Sequence, residues 1–304
     1  MPPLCQGNLL HFYPYFGRIS YQRSVVTILL DYIHISESME KVILDTLEYD
    51  FMRKLDYKNE IVKISSFLET YLTASGFKKL IIGISGGIDS ALSAALAVKA
   101  IGKENVIGVL MPYKLSNPES LQDGKILCSH LDITYKVVDI SKMVDAYFEA
   151  NDPEADKLRF GNWMARTRMC VLFDLSAKYD ALVVGTTNQS ELMTGYFTQY
   201  GDSACAIEPI GKLYKSEVWE MARTLGIPNK LIEKTPTADL WENQSDENEM
   251  GISYAELDQI LYSISKNKSL EQFPDSQVNL VYRLIARSSF KRLPPPFPED
   301  PCCL

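Results

Sequence analysis

The sequence predicts an α/β fold, built on a doubly wound, mostly parallel sheet flanked by helices. Two observations carry this. Between about residues 56 and 228, short apolar runs of strand length alternate with longer segments of helical period. Two of those runs end in glycine- and hydroxyl-rich turns, Ser85-Gly86-Gly87 and Gly185-Thr186-Thr187-Asn188. In a parallel sheet the carboxyl ends of the strands face one crevice, so these distant turns are expected to share a ligand.

The elements follow in order. Ile61, Ile64, Phe67, Leu68, Tyr71 and Leu72 recur at helical spacing. A strand is expected over 78–84, a helix over 89–101, a strand over Val106-Ile107-Gly108-Val109-Leu110 and a helix over 119–131. The third strand is Tyr135-Lys136-Val137-Val138-Asp139-Ile140, a long helix covers about 161–179, and Ala181-Leu182-Val183-Val184-Gly185 is the fourth strand. Beyond 229 the pattern becomes irregular and polar before helices return at 253–265 and 276–290. The prolines of Leu293-Pro294-Pro295-Pro296-Phe297-Pro298 exclude helix and favour an extended run.

Composition narrows the class. The chain has 304 residues, 46% of them hydrophobic and 23% charged, which suits a soluble globular protein. A net charge of −8 argues against a general nucleic-acid binder, because phosphate contacts need clustered Lys and Arg. The cysteines at 5, 128, 170, 205, 302 and 303 form no C-x-x-C pair, so neither zinc nor a disulfide framework is expected. No apolar stretch reaches the ~18 residues of a membrane span. The run Ser24-Val25-Val26-Thr27-Ile28-Leu29-Leu30 is short, is followed by Asp31 and lacks a cleavage site, so it is not read as a signal peptide. Pro301 stands where a prenylation box needs cysteine. A cytoplasmic protein with no membrane and no nucleic-acid partner is expected.

Chemistry concentrates in five segments. Gly83-Ile84-Ser85-Gly86-Gly87-Ile88-Asp89-Ser90 follows the apolar run Leu80-Ile81-Ile82 and leads into Ala91-Leu92-Ser93-Ala94-Ala95. Glycines let the backbone approach an oxyanion, and a helix starting near Ile88 adds unpaired N–H groups and its dipole. Ser85 and Ser90 offer hydroxyls, and Asp89 a carboxylate for magnesium on bound phosphates. The Gly-Lys-Ser/Thr ending of the Walker A loop is missing. Gly185-Thr186-Thr187-Asn188-Gln189-Ser190-Glu191 offers hydroxyls and a second hard oxygen ligand in Glu191, but the same pattern is also a helix cap with Glu at N3. In Gly161-Asn162-Trp163-Met164-Ala165-Arg166-Thr167-Arg168-Met169, arginines two apart face different ways, so one can reach a ligand while the other braces the fold. The stretch from Thr194 to Lys215 combines aromatics, glycines, Asp202 and a lysine suited to a nucleotide phosphate. Lys234-Thr235-Pro236-Thr237-Ala238-Asp239-Leu240, continuing to Glu247, reads as a polar lid or as a solvated acidic loop.

The loop 83–90 resembles the pyrophosphate-binding loop of ATP pyrophosphatases, which cut ATP between its α and β phosphates. Ser85-Gly86-Gly87-Ile88-Asp89-Ser90, Ala165-Arg166-Thr167-Arg168-Met169, Gly185-Thr186-Thr187-Asn188 with Glu191, Pro236-Thr237-Ala238-Asp239-Leu240, Gln244-Ser245-Asp246-Glu247 and Gly251-Ile252-Ser253-Tyr254 together resemble the ammonia-dependent NAD synthetases over roughly residues 60 to 292. The resemblance implies an adenine nucleotide α-hydrolase-like fold, with residues 1–52 as an N-terminal extension of unknown role, 53–292 as the synthetase domain and 293–304 as a Pro-rich tail. Met39 and Met52 are alternative starts for the chain.

It implies adenylation of deamido-NAD by ATP with release of pyrophosphate, then displacement of AMP by ammonia to give NAD. Loop 83–90 would hold pyrophosphate, Asp89 and Glu191 would hold Mg2+, and Thr186, Lys215 and Thr237 would contact ATP. Arg166, Phe290 and Lys291 would contact deamido-NAD, with Asp202 or Asp239 taking a proton from ammonium. A homodimer is implied, and free ammonia is the expected donor because the residues before 56 are too few for the amidase domain of glutamine-dependent relatives. Gln199 and Ala206 replace a lysine and an aspartate common in the family, so those two dinucleotide contacts are expected to differ. Competing readings are a tRNA-modifying ATP pyrophosphatase, disfavoured by acidity and unpaired cysteines, and a nucleotide-binding regulator without catalysis, disfavoured by Asp89, Glu191 and Lys215.

Overall fold

The computed structural model describes residues 52–297 except Ala238, Glu242 and Asn243. The N-terminal extension, apart from Met52, and the end of the tail lie outside the described residues. The chain opens with α1 (Tyr57–Ala74), started by the Asp56 carboxylate accepting from the Asn59 N–H. Then come β1 (Lys79–Gly83), α2 (Ile88–Ile101), β2 (Val106–Leu110), α3 (Pro118–His130), β3 (Thr134–Val137), α4 (Ser141–Asn151), α5 (Lys157–Tyr179) and β4 (Ala181–Val184). The remainder is helical: α6 (Gln189–Thr194), α7 (Lys215–Thr224), α8 (Asn229–Ile232), α9 (Asp246–Met250), α10 (Tyr254–Ser265) and α11 (Asp275–Arg287).

The four strands are parallel in the order β3-β2-β1-β4. Alternation puts Leu80, Ile82, Val106 and Leu110 on one face, packed with α1, α2, α3 and α7. Ile81, Val109, Ala181 and Val183 take the other face, under Val144 and Phe148 of α4 and Met164 and Leu175 of α5. The sheet is therefore doubly wound, and its order reverses between β1 and β4. That reversal leaves a crevice outside their carboxyl ends, where such folds bind ligands. A third cluster, centred on Tyr254, Leu257, Ile260 and Leu261 of α10 with Val281 of α11, closes the crevice from the C-terminal side.

Two segments differ from expectation. The third strand stops at Val137 rather than Ile140, although the Val138 and Ile140 N–H groups still reach the Leu110 and Pro112 carbonyls. Pro112 has no N–H to return, so the ladder cannot continue. Helix α4 occupies a stretch to which no element was assigned; its buried Val144 and Phe148 are four apart, a pattern too sparse for the alternation argument to detect. Among the described helices none is long and apolar enough to cross a membrane.

Candidate active site

A cavity of about 930 Å³ opens at the switch point. Loop 83–90 forms its floor. Gly83 ends β1, and the Ile84 N–H pairs with the Val109 carbonyl, carrying the strand one residue further. Ile84 and Ile88 are buried core members that anchor the loop on either side of its turn. Gly86 has φ of +79°, the left-handed region that favours glycine. The serines build the turn itself: Ser90 Oγ accepts from the Ser85 N–H at 3.2 Å and donates to the Gly87 carbonyl at 3.0 Å, while Ser85 Oγ accepts from the Gly87 N–H at 3.2 Å. Gly87 caps α2 without a side chain, so the first-turn N–H groups face the cavity mouth for an anion.

Above the loop lies a charge cluster from three elements. Lys215, the first residue of α7, is 2% exposed, and its Nζ lies 2.5 Å from Asp89 Oδ2 and 3.6 Å from Glu191 Oε1. Burial disfavours the ammonium, but Asp89, Glu191 and Asp246 outweigh that cost and raise its pKa. Burial, then the Asp89 charge, pushes Glu191 well above the ordinary carboxylate range. Glu191 is the helix cap its segment suggested, and its place in the cavity leaves it available as a ligand as well. It closes a capping box with Asn188, and it faces the cavity. Asn188 Nδ2 also donates to Asp89 Oδ1 at 2.8 Å, tying the two strand-end turns together. Asp246 is buried beside them, accepting from Tyr196 and Tyr254 at 3.2 and 3.1 Å.

Two buried acids support this cluster from behind. Asp258, fully buried in α10, accepts from the Ser190 hydroxyl and, at 2.8 Å, from the Ser216 N–H; Ser190 Oγ in turn accepts from the Lys215 N–H at 3.0 Å. One carboxylate thus fixes the N-termini of α6 and α7, which carry Glu191 and Lys215. Burial raises its pKa to about 6. Glu208 accepts from the Thr187 N–H at 3.0 Å and from the Cys205 thiol at 3.4 Å, under the turn that carries Thr186. Burial pushes it to about 8, opposed by the Cys205 and Thr187 donors. Because the folded state holds this proton more tightly than the unfolded chain, Glu208 costs stability as pH rises from the ordinary glutamate value towards 8. Glu208→Gln is therefore expected to match wild type below pH 4.5 and to gain up to roughly 5 kcal/mol well above pH 8. Denaturant melts at three pH values check this; a pH-independent difference would reject it.

The remaining residues separate by position. Thr186, Thr237, Asp202, Asp239 and Lys291 line the cavity. Thr237 Oγ1 accepts from the Asp239 N–H at 3.1 Å, and the Asp239 carboxylate accepts from the Asn117 N–H at 3.3 Å. Asp202 accepts from the Thr198 N–H at 2.9 Å; it meets the solvent of the cavity but is ringed by protein, and that loss of hydration raises its pKa. Lys291 donates to the Gly195 and Phe197 carbonyls at 2.8 and 2.7 Å. Arg166 is exposed, with its guanidinium on the Gln199 carbonyl, and Phe290 is 61% exposed. Neither is among the described residues lining the cavity. Two arginines that sequence reasoning did not single out do line it, Arg287 and Arg168, and Arg168 donates to the Met111 carbonyl at 3.1 Å.

The family model for NAD synthase matches residues 60–295. The chain belongs to the NAD synthase family. It is 49% identical over 255 residues to the NH(3)-dependent NAD(+) synthetase of Fusobacterium nucleatum, covering 80% of this chain and 97% of that protein. The structure of the NH3-dependent NAD synthetase from Campylobacter jejuni, solved with nitrate ion, superposes with a TM-score of 0.72 at 35% identity, covering 81% of this chain and all of that one. NMN synthetase from Francisella tularensis gives 0.75 at 30% identity, with 81% and 100% covered.

Within this NAD synthase fold, sequence reasoning did not single out Arg168 above Arg166, nor Asp246, Glu208 and Asp258. Asp246 lay inside the Gln-Ser-Asp-Glu motif, which was the available signal. Asp258 carried none, because an acid amid the apolar positions of α10 gains meaning only from the helix ends it meets.

Proposed function

We propose that this chain is a C–N ligase that converts deamido-NAD to NAD with ATP and ammonia, through an NAD-adenylate and with release of pyrophosphate and AMP. One observation carries the reading: an anion cradle at a topological switch point opens into the same cavity as a buried lysine between two carboxylates. In the first step a nicotinate carboxylate oxygen bonds to the α-phosphorus of ATP and the α–β bridge breaks, its electron pair leaving with pyrophosphate. In the second, ammonia nitrogen bonds to the acyl carbon and the acyl–oxygen bond breaks, with AMP leaving and a proton lost. Neither step needs a protein nucleophile. Positioning and charge compensation suffice.

Loop 83–90 receives the pyrophosphate half, with Gly87 lining the cavity and buried Gly86, at φ of +79°, turning the chain beneath it. Thr186 and Thr237 position the remainder of ATP, and Lys215 neutralises phosphate charge. The carboxylates fit Mg2+: Asp89 and Glu191 both present hard oxygens towards one cation, the Lys215 ammonium, from the two strand-end turns that face the cavity. Among the described residues no group of three or more His, Cys, Asp or Glu side chains forms a metal cluster, so phosphate and water oxygens would complete the shell. Magnesium, when bound, supplies Lewis-acid stabilisation of phosphate charge. Asp202, which lines the cavity and has its pKa raised by the surrounding protein, is suited to hold a proton taken from ammonium, and Asp239 is the alternative. Arg166, Phe290 and Lys291 are assigned to deamido-NAD, with Arg166 and Phe290 acting outside the main cavity. A cytoplasmic homodimer is the form we assign to the enzyme.

The test is NAD formation by the full-length chain. ATP, magnesium, deamido-NAD and ammonium are expected to yield NAD and pyrophosphate one to one, with glutamine at least tenfold poorer as donor. Given the likeness to an NMN synthetase, the mononucleotide carboxylate belongs in the same assay, and deamido-NAD is expected to be preferred. ATP binding without pyrophosphate release would defeat the enzymatic reading.

A further inference from the structure

One cation at the phosphate end of the cavity has no role in this scheme. Lys234 follows α8, and its Nζ lies 3.4 Å from the Gly86 carbonyl, 3.1 Å from Ser120 Oγ and 2.9 Å from Asp123 Oδ2. The ammonium therefore rests against the peptide group that turns the anion cradle. Its side chain is 19% exposed and lines the cavity.

Charge balance distinguishes the two lysines near the loop. Lys215 is shared among Asp89, Glu191 and Asp246, so its charge is already partnered by carboxylates before any phosphate binds. Asp123 is the reverse case. Its side chain is 2% exposed, and it pairs through Oδ1 with Lys230 at 2.7 Å as well as through Oδ2 with Lys234. Burial works against its ionised form, but the two ammonium groups prevail and keep it a carboxylate. Two lysines on one carboxylate leave a net positive charge, and of the two only Lys234 lines the cavity. Lys230 alone can neutralise Asp123, its own side chain being 55% exposed at the surface.

We propose that Lys234 contacts the pyrophosphate half of ATP and stabilises it as the leaving group of adenylation. This rests on the assignment of loop 83–90 to pyrophosphate. As the α–β bridge breaks, negative charge grows on the departing phosphate oxygens, and an ammonium with surplus charge beside Gly86 becomes more favourable in that state than in bound ATP. Lys234 gives up no proton and forms no bond.

Lys230 supplies the control, because it shares Asp123 but not the cavity. In the full-length protein, Lys234→Gln and Lys234→Met are expected to weaken binding of inorganic pyrophosphate, measured by calorimetry, about 30-fold and to slow deamido-NAD-dependent ATP–pyrophosphate exchange about 100-fold. The KM for ammonium is expected to change less than about twofold, because the second step begins after pyrophosphate has formed. Lys230→Gln is expected to stay within about threefold of wild type in every measurement. Equal losses in the Lys230 and Lys234 variants would reduce Lys234 to a structural partner of Asp123, and wild-type values in Lys234→Gln would overturn the proposal outright. Should the Lys234 variants not fold, amine labelling of wild type with and without pyrophosphate decides: protection of Lys234 but not Lys230 supports the contact, and equal labelling refutes it. Protection of Lys234 in a wild type that shows no exchange would leave the anion site standing while the reaction assignment falls.

Discussion

Lys215→Met is expected to lower kcat/KM for ATP by about 10³-fold and to destabilise the fold by roughly 3–5 kcal/mol. The methionine keeps the unbranched apolar stem and removes the terminal ammonium, in a site where Lys215 is 2% exposed. Asp89, Glu191 and Asp246 then face one another with no compensating ammonium. Glu191, already raised well above the ordinary range by burial and then by Asp89, loses the neighbour that opposed the shift, so its charged form becomes harder to keep. The substitution thus removes a phosphate contact and weakens a magnesium ligand. A magnesium titration of the variant is expected to show a weaker, more pH-dependent requirement than in wild type. Lys215→Arg offers no rescue, because a planar guanidinium needs room and partners that this enclosed slot beneath the Tyr254 ring does not provide. Activity of Lys215→Met within tenfold of wild type would show that the cluster is a structural ion pair.

How much of this was legible depended on whether a feature was local. β1, β2 and β4 were found to within about a residue, because buried parallel strands are continuous apolar runs. β3 was overextended because it is an exposed edge strand whose limit is set by Pro112 on its neighbour. The two halves of the site were also readable, since a glycine turn at a strand end is a local pattern and the topology brings such turns together. Asn188 and Asp89, 99 residues apart, meet as that argument requires. Balance between partners was not readable. Arg166 and Arg168 differ only in which way one helix is turned, and Asp123 gains meaning from lysines contributed by another element. The capping pattern at Asn188 and Glu191 was read as cap or site; the capping box is present, and it does not compete with a site, because a helix N-terminus at a switch point presents its N3 carboxylate to the crevice.

The cradle itself makes the sharpest prediction. Gly86→Ala is expected to raise the KM for ATP more than 100-fold and to destabilise the protein by about 2 kcal/mol, whereas Gly226→Ala is expected to cost about 1 kcal/mol with unchanged kinetics. Both glycines are left-handed, at φ of +79° and +72°, so conformational strain alone cannot separate them. Their surroundings can. A Cβ at Gly226 meets nothing within 4 Å. A Cβ at Gly86 would sit 3.0 Å from the Ser120 carbonyl carbon and well inside contact with its oxygen, and both belong to backbone that no rotamer change can move. Relief requires the loop to back away from the start of α3, carrying with it the Gly86 carbonyl and the N–H groups that lead into α2. The cradle would open by a fraction of an ångström, which is enough to weaken hydrogen bonds aimed at phosphate oxygens. Steady-state kinetics beside thermal melts of the two alanine variants test this. If both lose stability alike and both keep their KM for ATP, close packing against Ser120 does not shape the phosphate site.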